Sequence, residues 1–279
     1  SISPKSYNNK FGVPLSLFNI KQNDEYGILE IGMDKKGEID YLSNIVEPDV
    51  GVITNINYAH AKNFKNIKQI ALAKSEIINN IKLNGSIILN ADDKFFKLHS
   101  QISKKKNLKL ISFGIKSKRA DIKLIDIKSF GKNFKIKIRF MNKIKHFIIS
   151  DDYQNNIYNI LSALAVISVN SNIFNLNKNI FLNFKIPDGR GDRSTIKINN
   201  KKINLIDQSY NSNPLSLSSA IKNFDKIKSN NSKKYLLLGD MLELGSYSKK
   251  LHESIAPLIN QTKIDKVFVK GKMASLIYK

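Results

Sequence analysis

An alternation of apolar runs and helical segments in the first third of the chain restricts it to an α/β fold. Residues 26–32, 49–56 and 85–91 are short runs rich in isoleucine, leucine and valine. Between them, residues 37–45 and 67–81 carry apolar side chains at helical spacing. Short continuous apolar runs suit buried strands. A helix between successive strands suits a parallel sheet, because a parallel connection needs a crossover of about a dozen residues or more.

From residue 120 to 150 the period changes to two, as in Phe134-Lys135-Ile136-Lys137-Ile138-Arg139-Phe140, with a turn at Gly131-Lys132-Asn133. This predicts an antiparallel flap appended to the parallel sheet. A helix follows over 156–169, with Ile157, Ile160, Leu161, Leu164 and Ile167 on one stripe. Pro187-Asp188-Gly189-Arg190-Gly191 punctuates the chain, so the expected domains are 1–188 and 189–279. The second shows a hairpin over 194–206, helices over 214–227 and 248–259, and strands over 235–239 and 266–270. It is read as a small α/β domain that stops short of a full sheet.

Two domains are affordable in 279 residues. The absence of cysteine excludes disulfides, thiol catalysis and cysteinyl metal centres, which fits a cytoplasmic protein. No apolar run nears the roughly 18–20 residues of a membrane span, and no signal-like segment opens the chain. A net charge of +23 invites a nucleic-acid reading. Against it, only four of the 46 basic residues are arginine (Arg119, Arg139, Arg190, Arg193), and the lysines are scattered. Abundant lysine, asparagine and isoleucine point to an AT-biased genome rather than a binding stripe.

Several residues carry chemistry at strand ends, where open parallel sheets bind ligands. Glu30 ends the first apolar run and is placed to meet a metal, or to cap the next helix. His60 follows the second run, as a ligand or a structural histidine. Lys74 lies in the helix after it, where its small neighbours Ala71 and Ala73 would allow close approach; a solvated surface lysine is the plain alternative. Asp92 and Asp93 follow the third run, as outer support for a metal or as a helix cap. Arg190 between two glycines can fork onto phosphate. Asp207 closes a strand before Tyr210-Asn211-Ser212-Asn213-Pro214, which reads as a helix start. A G-x-x-x-x-G-K-[ST] phosphate cradle does not occur in these 279 residues.

At these motifs the chain resembles the Mur ligase family, ATP-dependent amide-forming enzymes of peptidoglycan assembly. The resemblance runs through Ser6-Tyr7-Asn8-Asn9, Gly12-Val13-Pro14, Leu29-Glu30-Ile31-Gly32-Met33, Gly37-Glu38-Ile39 and Ile53-Thr54-Asn55-Ile56 with Ala59-His60. It continues through Ala73-Lys74-Ser75-Glu76-Ile77, Asn90-Ala91-Asp92-Asp93, Tyr210-Asn211-Ser212-Asn213-Pro214, the run from Gly239 to Gly245, and His252. The earlier motifs are shared with folylpolyglutamate synthase. The last two runs are more specific to the branch that adds D-alanyl-D-alanine to UDP-N-acetylmuramoyl-tripeptide.

The resemblance implies a parallel-sheet ATPase domain with an antiparallel flap, followed by a Rossmann-like C-terminal domain. It implies a chain that starts after the phosphate loop and stops within the last domain, hence one inactive alone. It implies magnesium held by Glu30 and His60, with Lys74 as a carbamate that helps place the metal and the γ-phosphate; His60 and Lys74 are the catalytic candidates. ATP contacts are implied for Asn156, Asn159, Arg190, Asp207, Tyr210 and Asn211. Three positions depart from the family pattern: Asn155 for a histidine, Gln208 for an acid and Ser212 for an alanine. The expected protein is a monomer without nucleic-acid or membrane partners. The rival readings are a folylpolyglutamate synthase-like ligase, a basic nucleic-acid-binding protein and a non-catalytic remnant.

Overall fold

The computed structural model describes residues 1–4, 6–58, 61–151, 156–227 and 232–278, which fall into two compact units. The first comprises Ser1–Ile56, Asn63–Asp151 and Asn156–Leu182. The second is built from Asn57–Lys62 and Asn183–Lys279.

The first unit is organised by a six-stranded sheet in chain order: β1 (Val50–Ile53), β2 (Ser86–Asn90), β3 (Lys109–Gly114), β4 (Ile122–Phe130), β5 (Asn133–Phe140) and β6 (Lys143–Ser150). Strands β1 to β4 are parallel, and β4 to β6 are antiparallel. The flap foreseen from the period-two pattern is therefore the continuation of the parallel sheet. Helix α3 (Ile67–Ser75), extended by a 3-10 turn over Glu76–Asn80, links β1 to β2, and α4 (Phe96–Lys105) links β2 to β3. Helix α5 (Ile157–Asn170) packs on β1 to β4. Ile87, Ile88 and Leu89 of β2 are almost fully buried, as a strand covered on both faces requires. In β5 and β6 burial alternates: Ile136, Ile138, Phe147 and Ile149 turn inward, while Lys135 and His146 are exposed. Each such aliphatic or aromatic side chain contributes about 1.5–3 kcal/mol by leaving water.

The structure departs from two expectations in this unit. Residues 26–32 are not a buried strand: Ile28 forms a single bridge to Ile2 and remains 61% exposed. Its backbone bonds go to Ser1 and Ser3 rather than into the sheet, and a strand without a ladder cannot bury its faces. The run 49–56 is a strand only to Ile53. A short helix α1 (Gly12–Phe18) and helix α2 (Glu38–Val46) complete the unit. The Glu76 carboxylate accepts from Gly37 N and Asp40 N at the start of α2, capping it from a distant part of the chain.

In the second unit, β7 (Asp192–Ile198) and β8 (Lys201–Asp207) form the expected hairpin. Its turn is Asn199-Asn200, both at positive φ (47° and 62°), which asparagine tolerates and a two-residue hairpin turn demands. Helix α6 (Pro214–Lys226) starts with a capping box between Asn213 and Ser216. Strands β9 (Tyr235–Leu238) and β10 (Lys266–Val269) pair in parallel. The helix foreseen over 248–259 is two, α7 (Ser248–Glu253) and α8 (Ala256–Ile259). Pro257 has no N–H and its ring would strike the carbonyl four residues back, so one helix cannot run through it. Ile221, Leu238, Met241, Leu244, Ile255 and Ile277 make the core. Buried His252 accepts from Met241 N at Nε2 (2.9 Å), so its Nδ1 carries the proton and donates to Ser248 O (2.8 Å). The segment after β1 is held within this unit: Asn57 Nδ2 donates to Asn213 Oδ1 (2.6 Å) and Lys62 N to Glu243 O (3.0 Å). Gly245, at φ 56°, passes so close that a Cβ would lie 2.6 Å from Lys62 Cα.

Candidate functional site

The carboxyl end of β1 is where the first unit concentrates its polar chemistry. Three consecutive residues there are each held by a side chain from elsewhere. Asn90 Nδ2 donates to Thr54 O (3.0 Å), Lys74 Nζ to Asn55 O (3.4 Å), and Ile56 N donates to Asp93 Oδ2 (2.7 Å). Asp93 Oδ1 also accepts from Phe95 N (2.8 Å), so one carboxylate ties the exit of β1 to the approach to α4. Asp93 thus does more than cap a helix.

Lys74 is half-buried, and protein atoms crowd its amine although the residue keeps some contact with solvent. Burial pushes its pKa below the ordinary 10.5, with the Asp93 carboxylate opposing. The free-base amine, a nucleophile, is therefore more accessible than on a surface lysine. The buried His99 of α4 sits beside it, its Nε2–H donating to Ala71 O of α3 (3.0 Å). Burial pulls the His99 pKa below the ordinary 6.5; the Ala71 bond and Asp93 oppose, and Lys74 adds to the fall.

Glu30 is exposed, its Oε1 accepting from Asn8 Nδ2 (2.7 Å) and its N bonded to Ser3 Oγ (3.1 Å). His60 and Asn155 lie outside the described residues. Among the described residues no three histidine, cysteine or acidic side chains gather as a metal site. Magnesium asks for less than that, one or two carboxylates completed by water and phosphate oxygens. The oxygen donor of Glu30 fits that chemistry.

At the start of α5, the N-cap residue Asn156 meets Asn159, whose Nδ2 donates to Asn156 Oδ1 (3.2 Å). In the second unit the structure brings Arg190, Asp207 and Tyr210 together. The Arg190 guanidinium stacks over the Tyr210 ring, 4.4 Å from its centroid. Gly189, at φ 69°, leaves no room for a Cβ beside Tyr210, and its O accepts from Tyr210 N (3.1 Å). Asp207 O accepts from Gly191 N (2.6 Å), and Asp207 Oδ1 from Ser209 N (2.8 Å). The Ser209 bonds hold the Asp207 carboxyl below the usual carboxylate range. Asn211 is exposed in the same turn. Sequence reasoning passed over Asn57, Tyr158 and the clamp role of Asn90. Tyr158 had one available signal, a polar tip next to Asn159 in the first turn of a mainly apolar helix.

The chain matches the Mur ligase middle domain over residues 2–167 and the Mur ligase glutamate ligase domain over residues 192–277. The UDP-N-acetylmuramoyl-tripeptide–D-alanyl-D-alanine ligase of Buchnera aphidicola (subsp. Acyrthosiphon pisum) is 37% identical over 281 residues, covering 98% of this chain and 58% of the relative. A crystal structure of MurF from Acinetobacter baumannii superposes with a TM-score of 0.87 at 26% identity, covering 99% of this chain and 58% of that one. MurF ligase from Thermotoga maritima in complex with ADP gives a TM-score of 0.82 at 25% identity, covering 99% and 62%. The chain thus spans about six-tenths of the length of these relatives. Two domain matches follow in order, and the first alone takes in more than half the residues: the chain belongs to the Mur ligase family.

Proposed function

We propose that the protein is the ATP-dependent amide ligase that joins D-alanyl-D-alanine to UDP-N-acetylmuramoyl-tripeptide. Residues 1–188 are its ATP-handling domain and 189–279 belong to its C-terminal domain. It acts as a cytoplasmic monomer. The observation that carries this reading is the desolvated Lys74 amine at the carboxyl end of β1, clamped with Asp93 and Asn90 around Thr54, Asn55 and Ile56. Relatives aligned along nearly the whole chain carry the same activity in their names.

The reaction has two steps. A tripeptide carboxylate oxygen attacks the γ-phosphorus of ATP, ADP leaves, and an acyl phosphate forms. The D-Ala-D-Ala amine then attacks the acyl carbonyl, loses a proton, and expels phosphate from the tetrahedral intermediate to leave an amide. Glu30 and His60 would hold magnesium, which supplies charge neutralisation on the phosphate oxygens when bound. Lys74, whose ammonium form burial disfavours, adds carbon dioxide through its free-base amine and gives up a proton to become an anionic carbamate. That converts a residue which would repel a metal into one that helps hold it. Asn156 and Asn159 contact adenine; Arg190, Asp207, Tyr210 and Asn211 are the ATP contacts of the second unit. Arg190 meets phosphate oxygens with a guanidinium already oriented by Tyr210.

Phosphate release by the protein expressed from its complete reading frame tests the assignment. It should require both UDP-N-acetylmuramoyl-tripeptide and D-Ala-D-Ala. Release with a folate and glutamate instead would move the protein to the folate branch. Salt-sensitive DNA retention without ligase activity would favour the nucleic-acid reading.

A further inference from the structure

Asp92, just beyond β2, accepts four hydrogen bonds. Its Oδ2 takes Ile115 N (2.6 Å), Lys116 N (2.9 Å) and the Tyr158 hydroxyl (2.9 Å), and its Oδ1 takes Ser117 N (2.6 Å). Three consecutive backbone N–H groups aimed at one point make an anion-binding concavity. Here the anion is the chain's own carboxylate. Burial raises the Asp92 pKa, but the three amides and the phenol outweigh it and hold the carboxyl below its usual range. Burial, then the bond to Asp92, pushes the Tyr158 phenol up, so it stays protonated and donating.

Tyr158 stands in the first turn of α5, between Asn156 and Asn159. Asn156 makes no side-chain capping bond there, and Tyr158 ties the turn to the end of β2 and the β3–β4 connection. The Asn159-to-Asn156 bond uses the Asn156 oxygen and one Asn159 proton. The pair still offers the Asn156 NH2 as donor and the Asn159 oxygen as acceptor, which an adenine edge with its own acceptor and donor matches.

We propose that Tyr158 and Asp92 are positioning residues for the nucleotide: by locking the first turn of α5 to residues 115–117, they preset the Asn156–Asn159 amide pair for adenine. The inference rests on the reading of that pair as adenine contacts. Tyr158→Phe, in the protein from the complete reading frame, removes one oxygen and no packing. Losing one hydrogen bond should raise the KM for ATP and the Kd for ADP about fivefold, with kcat changed less than about twofold. The preference for ATP over GTP should narrow by a similar factor. Without nucleotide, amides of 115–117 and of the first turn of α5 should exchange faster with solvent. Faster exchange with KM, Kd and the ATP-to-GTP ratio unchanged would overturn the proposal, leaving a purely structural contact. Unchanged exchange would overturn it too, since the turn would then be held by other contacts. A wild-type protein that binds no ADP would instead remove the ligase reading, and this inference with it. Asp92→Asn, which keeps the shape but turns one of the two accepting oxygens into an NH2 donor facing backbone N–H, should shift the same quantities in the same direction.

Discussion

The guanidinium of Arg190 stacks on the ring of Tyr210, 4.4 Å from its centroid, although the two are separated by the whole β7–β8 hairpin. An exposed stack of this kind contributes about 0.5–1 kcal/mol. Tyr210→Ala should therefore weaken ATP binding about two- to fivefold, and Tyr210→Phe should leave it unchanged. Titration with ATP in a calorimeter separates the two variants, and equal losses in both would show that the hydroxyl rather than the ring matters.

Lys74 has a depressed pKa because it is buried, so the unfolded chain holds its proton more tightly than the folded one. Its contribution to stability therefore rises with pH across the window that ends at the ordinary 10.5. Lys74→Met should flatten that rise and increase the thermal midpoint at pH 7. The same variant, and Lys74→Ala, should lower kcat at least about 100-fold. Short-chain carboxylates should partly restore turnover in Lys74→Ala, and full activity without them would refute the carbamate role.

His99 is buried, donates Nε2–H to Ala71 O, and has a pKa below 6.5. As pH falls, the unfolded state takes up the proton first, so stability present above 6.5 is lost as pH drops through the folded value. Urea midpoints measured between about pH 7.5 and pH 5 should fall more steeply for the wild type than for His99→Gln. Parallel curves would exclude His99 as a source of the acid sensitivity.

Asn213 Oδ1 accepts from Leu215 N (3.1 Å), Ser216 N (3.0 Å) and Asn57 Nδ2 (2.6 Å). Asn213→Ala should cost about 1–2 kcal/mol, for the lost cap and for the stranded Asn57 amide. Asn213→Asp keeps every acceptor and should stay within about 0.5 kcal/mol of wild type in denaturant unfolding.

Local order was legible without coordinates wherever one period dominated. The stripe of α5, the alternation in β5 and β6, and the asparagine that starts α6 are written into neighbouring residues. Such signals report backbone preference and burial period, both short-range properties. They also explain the failure at 26–32, because an apolar run cannot say whether a partner strand lies beside it. The break before Pro257 is a short-range signal of the same kind, since proline's missing N–H is a local property.

The sequence by itself determined the α/β class, the antiparallel flap, the positions of Glu30, Lys74 and Arg190 after or between apolar segments, and the motifs that carry the family likeness. Only the tertiary structure decided what those groups experience. It desolvated Lys74, gave Asp93 to Ile56 and Asp92 to residues 115–117, and laid Arg190 on Tyr210 through the register that pairs Asp192 with Asp207. Desolvation and hydrogen bonding depend on atoms distant along the chain, and a linear pattern does not record which of them arrive together.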